Sequence, residues 1–234
     1  MKQKHELITN LEELSRVIDD RAEEINVIDD ADKVERIVSR LKSIMKKKKI
    51  VGLTAPQIGY NYRIFCIDFN GDIKTFINPM IVNSKGLHLS REVCVSIPKE
   101  EFIIPRSDEI IAIYQIPSVF RKETNPEHNR FIGFASDLFQ QLTNLLDNIY
   151  LSDVGVKVPE NFDSLSEEER TKFIDEYVNE LQQLTKALNE EIENNSELKQ
   201  QKDAIEFMKK VSTGEVVLEK GTIESEETDG HWDN

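Results

Sequence analysis

Gly133-Phe-Ala-Ser-Asp-Leu-Phe-Gln-Gln-Leu-Thr-Asn144 opens the segment on which the fold turns. From Ala135 onward, Leu138, Leu142, Leu145, Leu146 and Ile149 recur at helical spacing and give one apolar face. Upstream lie short runs rich in β-branched and aromatic residues: Arg63-Ile-Phe-Cys-Ile-Asp-Phe69, Thr75-Phe-Ile77 and Glu109-Ile-Ile-Ala-Ile-Tyr114. Asn70-Gly71, between the first two, is a strong hairpin signal. Earlier still, the segment from Leu11 to Met45 has helical spacing, with Val34, Ile37, Val38, Leu41 and Met45 on one face. A first helix, several strands and a late core helix predict an α+β domain. Lys46-Lys47-Lys48-Lys49 follows the first helix, where a basic run meets the negative end of the helix dipole and reads as a solvated helix end.

The 234 residues suffice for one good-sized domain and an appendage. No secretory segment follows Met1, and only two cysteines are present, Cys66 and Cys94, so a reducing cytoplasmic setting without a disulfide is expected. No apolar run approaches a membrane span, which argues against a membrane partner. The net charge is −14, and residues 154–234 carry 21 acidic and 9 basic side chains, leaving only −2 for residues 1–153. A near-neutral body with an acidic extension argues against nucleic acid as a partner, because a polyanion is repelled.

That asymmetry and a change of composition after Asp153 predict two parts, residues 1–153 and 154–234. Val154-Gly-Val-Lys-Val-Pro159 reads as a linker. Ser164-Leu-Ser-Glu167 has capping-box spacing, with Phe162 nearby as a staple. Phe173, Tyr177, Leu181, Leu184 and Leu188 then form an apolar interaction stripe one helix wide. A second helical stretch is expected over Glu197–Val211, and Glu215–Asn234 reads as a mobile acidic tail.

Val51-Gly-Leu-Thr-Ala-Pro-Gln-Ile-Gly59 resembles the first signature of peptide deformylases, and Glu92-Val-Cys-Val-Ser-Ile-Pro98 resembles the second. Ile77-Asn-Pro79 matches the family's strand-end tripeptide, and Ile104-Pro-Arg106 follows the second motif at the family's usual distance. The order fits from about Leu7 to Asp153. The resemblance implies sheets packed around a central C-terminal helix. It also implies a divalent metal held by one Cys and two His of a His-Glu-x-x-His helix, activating water to remove formyl from N-terminal formyl-methionine. By that resemblance Gln57 stands for the oxyanion Gln, the N–H of Val95 for the oxyanion amide and Cys94 for the sulfur ligand, while Gly52, Glu92 and Arg106 are supporting positions.

The helix departs from the pattern. Read by alignment of the motif, Gln140 and Asn144 stand for the two His and Gln141 for the Glu. Neutral amides are poor ligands for a transition metal and do not shuttle protons near neutral pH. None of the four histidines, His5, His88, His128 and His231, lies on this helix, though His88 closely precedes the Cys94 motif; Asp137 and Asp147 do lie on it. Plain structural roles are open as well: Gln57 bonding a loop, Cys94 as a small buried hydrophobe, and Gln140 with Asn144 as a satisfied amide pair. Ile50 and Val93 stand where the family has Gly, and Thr54 replaces a small Ala, which should narrow a peptide groove. The leading expectation is therefore a non-catalytic deformylase-like protein without cofactor. It would act as an interaction or assembly module through its C-terminal helices, with a protein partner or a second copy. Because many bacteriophages carry deformylase genes, the resemblance also suggests a phage-particle component, in the host cytoplasm or the virion. Two alternatives are a deformylase with a rebuilt Fe, Ni or Zn site around Cys94, and a module that grips N-terminal peptides without cutting them.

Overall fold

The structure is a computed structural model and describes residues 7–117, 126–195 and 198–199. The chain divides into two compact units, Met1–Arg170 and Thr171–Asn234. In the first unit, the Leu11–Met45 segment is two helices rather than one. Helix α1, Leu11–Ser15, is capped by Asn10, whose Oδ1 accepts the Glu13 N–H at 2.8 Å. Helix α2, Ala31–Lys48, buries Val34, Ile37, Val38, Leu41 and Met45 as its spacing predicts, and Ile44 besides. Lys46, Lys47 and Lys48 occupy its last turn, and Lys49 ends it in the left-handed conformation, φ 55°, with its N–H on the Met45 carbonyl.

Five antiparallel strands follow in one sheet: β1 Gly52–Thr54, β2 Ile64–Phe69, β3 Asp72–Lys85, β6 Glu109–Gln115 and β7 Glu127–Ile132, in the order β1-β2-β3-β6-β7. The expected hairpin joins β2 and β3, with Asn70 and Gly71 both at positive φ. Strand β2 explains its own composition. Successive side chains point to opposite faces, and both faces are covered: Phe65 and Ile67 enter one core, Ile64 and Cys66 the other. Strand β3 is far longer than Thr75–Ile77, and Asn78-Pro79 is not its end but a bulge within it, where the register with β6 shifts. Asn78 sits at φ 48°; its amide donates to the Ile25 carbonyl (2.9 Å) and to Gln115 (2.8 Å) and accepts from the Ile25 N–H (3.1 Å). This side chain ties the irregular segment between α1 and α2 to the sheet.

A second sheet, in the order β4-β5-β8, contains β4 His88–Cys94, β5 Ile97–Arg106 and β8 Val156–Lys157. The expected linker Val154–Pro159 thus supplies a strand. Gly155 explains why: a Cβ there would lie 2.4 Å from Ile104 Cγ1 and 2.9 Å from the Ile103 carbonyl oxygen, so only glycine lets the chain reach β5. Between the sheets lies α3, Phe134–Leu146, preceding the short α4, Leu151–Val154. Its ring Phe139 meets Phe65 and Phe76 edge-on, at 5.0 and 5.2 Å between centroids, and stacks on Phe131 at 4.7 Å. The helix stops before Ile149, because Asn148 turns to φ 58°; Ile149 is exposed and not part of the apolar face.

Helix α5, Glu167–Asn194, begins two residues later than its expected cap. The capping box is Ser166 with Glu169: the Ser166 N–H reaches Glu169 Oε2 at 2.8 Å, and the Glu169 N–H reaches Ser166 Oγ at 3.2 Å. Phe162 is buried, with the Arg91 guanidinium 5.7 Å above its ring. Along α5, Tyr177 is buried, Phe173 and Leu181 are half-buried, and Leu184 and Leu188 are exposed. The helix expected over Glu197–Val211 and the tail Glu215–Asn234 lie outside the described residues, apart from Leu198 and Lys199. No helix among the described residues is long and apolar enough to cross a membrane.

Gly155→Ala should lower stability in urea unfolding by about 1–3 kcal/mol, the usual range for forcing an extra carbon into a packed site.

Candidate functional site

Strands β1 and β4 face each other across a cleft of about 460 Å³ whose floor is α3. Gly52 makes the approach close: a Cβ there would lie 2.9 Å from Leu138 Cδ1 and 3.0 Å from Leu142 Cδ1. The motif residues meet here as the resemblance implies. Pro56–Ile58 forms a single 3₁₀ turn that turns Gln57 inward, fully buried. Gln57 Oε1 accepts from the Thr54 N–H (2.9 Å) and Thr54 Oγ1 (3.2 Å). Its Nε2 donates to Ser96 Oγ (3.1 Å) and to Cys94 Sγ (3.6 Å). Ser96 in turn donates to the Ile8 carbonyl at 3.0 Å. Thr54 is therefore a hydrogen-bond partner of Gln57 rather than an obstruction. Ser96 was visible as part of the second motif, but only the fold reveals that it binds Gln57.

Burial pushes the Cys94 thiol pKa up, against hydrogen bonds from Ser96 and Ile97 that lower it. Val95 is half-buried against the α2-side core. Glu92 and Arg106, both buried, form a bidentate pair at 2.7 and 2.8 Å that locks β4 to β5.

The helix positions differ from the motif alignment by one residue. The α3 side chains lining the Cys94 cleft are Phe134, Asp137, Leu138, Gln141, Leu142 and Leu145. Gln140 and Asn144 are rotated away by about 100° per residue and sit on the far flank. Gln140 Nε2 donates to the Ser107 carbonyl (3.0 Å) and to Ser136 Oγ (3.0 Å), while its Oε1 accepts from the Ser107 N–H (3.1 Å). With its amide oriented to suit its neighbours, Asn144 accepts from Arg106 Nη1 and donates to the Gln140 carbonyl, each at 3.2 Å. The two side-chain amides do not pair with each other, and neither reaches Cys94. The i, i+4 pair that does face Cys94 is Gln141 and Leu145, with Leu142 beside the first. The segment standing for His-Glu-x-x-His is thus Gln141-Leu142-Thr143-Asn144-Leu145. The polar run Gln140-Gln141 hid this, because both registers satisfy the four-residue spacing and Leu145 reads equally well as core.

This donor set does not fit a catalytic metal. Leucines offer no ligand atom, and Gln141, whose Nε2 donates to the Val93 carbonyl at 2.8 Å, offers only a neutral amide oxygen, a poor ligand for a transition metal. The nearby carboxylates are at most partly available: Glu92 is paired with Arg106, and Asp137 engages His88 Nε2 (3.2 Å) and Ser90 Oγ (3.1 Å) through Oδ2, leaving only its Oδ1 without a partner. His88 turns its other nitrogen to Asp108 at 2.8 Å, bridging β4, the β5–β6 turn and α3 instead of approaching Cys94. His128 is exposed on β7, Asp147 pairs with the buried Arg63 on the far side of α3, and His5 and His231 lie outside the described residues. Among the described residues, no group of three or more His, Cys, Asp or Glu is arranged to hold a metal. Ile50 and Val93 do line the cleft, Ile50 half-buried against the core and Val93 exposed at the mouth beside Val51 and Phe134.

The sequence profile described as polypeptide deformylase matches residues 8–158. The chain is 37% identical over 91 residues to the peptide deformylase of Dictyoglomus turgidum, covering 39% of this chain and 58% of that protein. It is 38% identical over 84 residues to the peptide deformylase of Karelsulcia muelleri, covering 33% and 44%. The matched segment thus spans about half the length of these relatives. The crystal structure of peptide deformylase from Thermotoga maritima superposes with a TM-score of 0.56 at 24% identity, over 64% of this chain and 96% of that one. A peptide deformylase from Synechococcus elongatus in complex with actinonin gives 0.57 at 23%, over 66% and 82%. At those identities the structural likeness is one of fold.

Two outcomes are expected. Glu92→Gln leaves the Arg106 charge buried without its partner and should destabilise the protein by about 3–5 kcal/mol in urea unfolding. At His88, partial burial lowers the pKa, but Asp137 and Asp108 outweigh it and the net shift is upward. A raised folded-state pKa means that the stabilisation is fully present below the ordinary His value, about 6.5, and is lost as pH rises through the raised value. The Tm difference between the native protein and His88→Gln should therefore be larger at about pH 5 than at about pH 9, two units either side of neutrality, as read by thermal melts.

Proposed function

The chain belongs to the peptide deformylase family, and within that family we propose that it is a non-catalytic member acting as a protein-interaction module. One observation carries this reading. On the α3 face that meets Cys94 and Gln57, the positions of the second metal ligand, the proton-moving carboxylate and the third ligand hold Gln141, Leu142 and Leu145. Water activation needs three protein ligands and an open coordination position, and proton transfer needs a titratable group within reach. Cys94 and one amide supply neither set. Around this gap the scaffold is kept in order: the Gln57–Ser96–Ile8 hydrogen bonds and the Glu92–Arg106 pair persist. The chain also carries α5, whose apolar stripe reaches exposed Leu184 and Leu188, a feature that suits a protein partner.

A second reading, peptide binding without cleavage, is favoured by the cleft itself. It stays open, with an apolar floor of Leu138, Leu142 and Leu145 and exposed Val51, Val93 and Phe134 at its mouth. A formyl-methionine peptide that binds in a titration and is lost with Leu142→Glu would move this reading to first place.

The test of the main reading is metal content by elemental mass spectrometry, with formyl-Met-peptide hydrolysis assayed after loading with Fe, Ni, Co and Zn. No stoichiometric metal and no turnover are expected. A Gln141→His/Leu142→Glu/Leu145→His variant should gain a bound metal that Cys94→Ala removes. Turnover by the native protein that disappears in Cys94→Ala would overturn the reading.

A further inference from the structure

We propose that His88 is a proton-operated latch on one wall of the cleft. With its ring charged, it ties β4 and the β5–β6 turn to the first turn of α3; with its ring neutral, the tie to α3 is broken. His88 Nδ1 lies 2.8 Å from Asp108 Oδ1, and Nε2 lies 3.2 Å from Asp137 Oδ2. An ionised carboxylate only accepts, so both ring nitrogens must donate, and only imidazolium carries two N–H groups. A neutral ring has one N–H and turns the lone pair of its other nitrogen toward a carboxylate. One of the two contacts is then given up. The shorter one, to Asp108, is the stronger and is kept. Asp137 is left with Ser90 Oγ alone, at 3.1 Å on its Oδ2, while its Oδ1 has no partner in either state. A buried carboxylate so poorly paired is expensive, and the first turn of α3, which carries it, loosens.

No neighbouring charge is free to take the place of the ring. On its own strand, Arg91 is engaged by Glu101 and Asp163, and Glu92 by Arg106. Across the β4–β5 pair, Arg106 stands opposite His88 but divides its donors between Glu92 and Asn144. Beyond the turn, Glu109 pairs with Arg130 and is flanked by Lys85 from the end of β3. The pieces joined by the latch also share backbone bonds: the Gly133 N–H donates to the Asp108 carbonyl at 3.0 Å, and the Ser107 N–H to Gln140 Oε1 at 3.1 Å. Ser90, Phe134 and Asp137 all line the cleft, so the latch governs how firmly that wall is held, whatever the cleft binds. Partial burial lowers the ring pKa, and Asp137 and Asp108 together outweigh it. The latch therefore lets go on the alkaline side of the ordinary imidazole value of about 6.5.

The test is amide protection against solvent exchange, measured by NMR on the full chain and corrected for the intrinsic pH dependence of exchange. Protection of the Ser107, Gly133 and Asp137 amides should fall about fivefold as pH rises through the titration of the His88 ring, the scale of one net hydrogen bond. The ring's own Cε1–H signal marks that titration. The Ala22 amide, which donates to the Leu146 carbonyl at the other end of α3 (2.7 Å), should keep its protection. In His88→Gln the step should vanish. Asp108→Asn leaves an acceptor for Nδ1 and removes one charge, so its step should move to lower pH. The proposal is overturned if the native chain shows no step, if Ala22 steps with the other three, if the step survives His88→Gln, or if Asp108→Asn leaves its midpoint in place.

Discussion

The rotation of α3 about its own axis governs the site, and Phe139 sets it. Its ring is held on three sides by Phe65, Phe76 and Phe131, and aromatic packing of this density leaves no room for a turn of the helix. On the opposite flank, Gln140 grips the Ser107 backbone through both its amide atoms. With those anchors fixed, Gln141, Leu142 and Leu145 must face Cys94, and Asn144 must face Arg106. The chemistry available in the cleft follows from that rotation more than from any single motif residue.

Most buried polar groups around the cleft form closed hydrogen-bond circuits. Gln57 satisfies its oxygen on Thr54 and its nitrogen on Ser96 and Cys94. Arg106 divides its donors between Glu92 and Asn144. Such networks stabilise the fold when every member is paired and are damaging when one is missing. One exception is Asp137, whose Oδ1 is buried without a partner while its Oδ2 serves His88 and Ser90. That imbalance makes the imidazolium form of His88 the better neighbour there.

Much of the fold was legible because local signals and burial agreed. The α2 stripe read correctly from spacing, the Asn70-Gly71 hairpin from its turn residues and the strand Ile64–Phe69 from its β-branched and aromatic composition. What escaped depended on tertiary neighbours. Val156-Lys157 is too short to announce a strand and becomes one only because Gly155 fits against Ile104. Asn78 reads as a strand end, yet its side chain replaces backbone partners inside a bulge. The cap of α5 sits at Ser166 and not at Ser164, since both serines have a glutamate three residues on and only geometry chooses between them. The one-residue ambiguity at Gln140-Gln141 is of the same kind: a helix pattern gives spacing, while phase comes from what the helix packs against.

The two cysteines fall in different cores, Cys66 in the one beneath α2 and Cys94 in the one around α3. Burial raises both thiol pKa values, that of Cys66 to about 11. Only a thiolate reacts readily, and only when reagent can reach it. Cys66 is therefore silent in the closed protein and becomes reactive when the core beneath α2 opens, whereas Cys94 borders the open cleft. The rate at which Cys66 is alkylated reads the opening of that one core, a native reporter of how this part of the chain breathes.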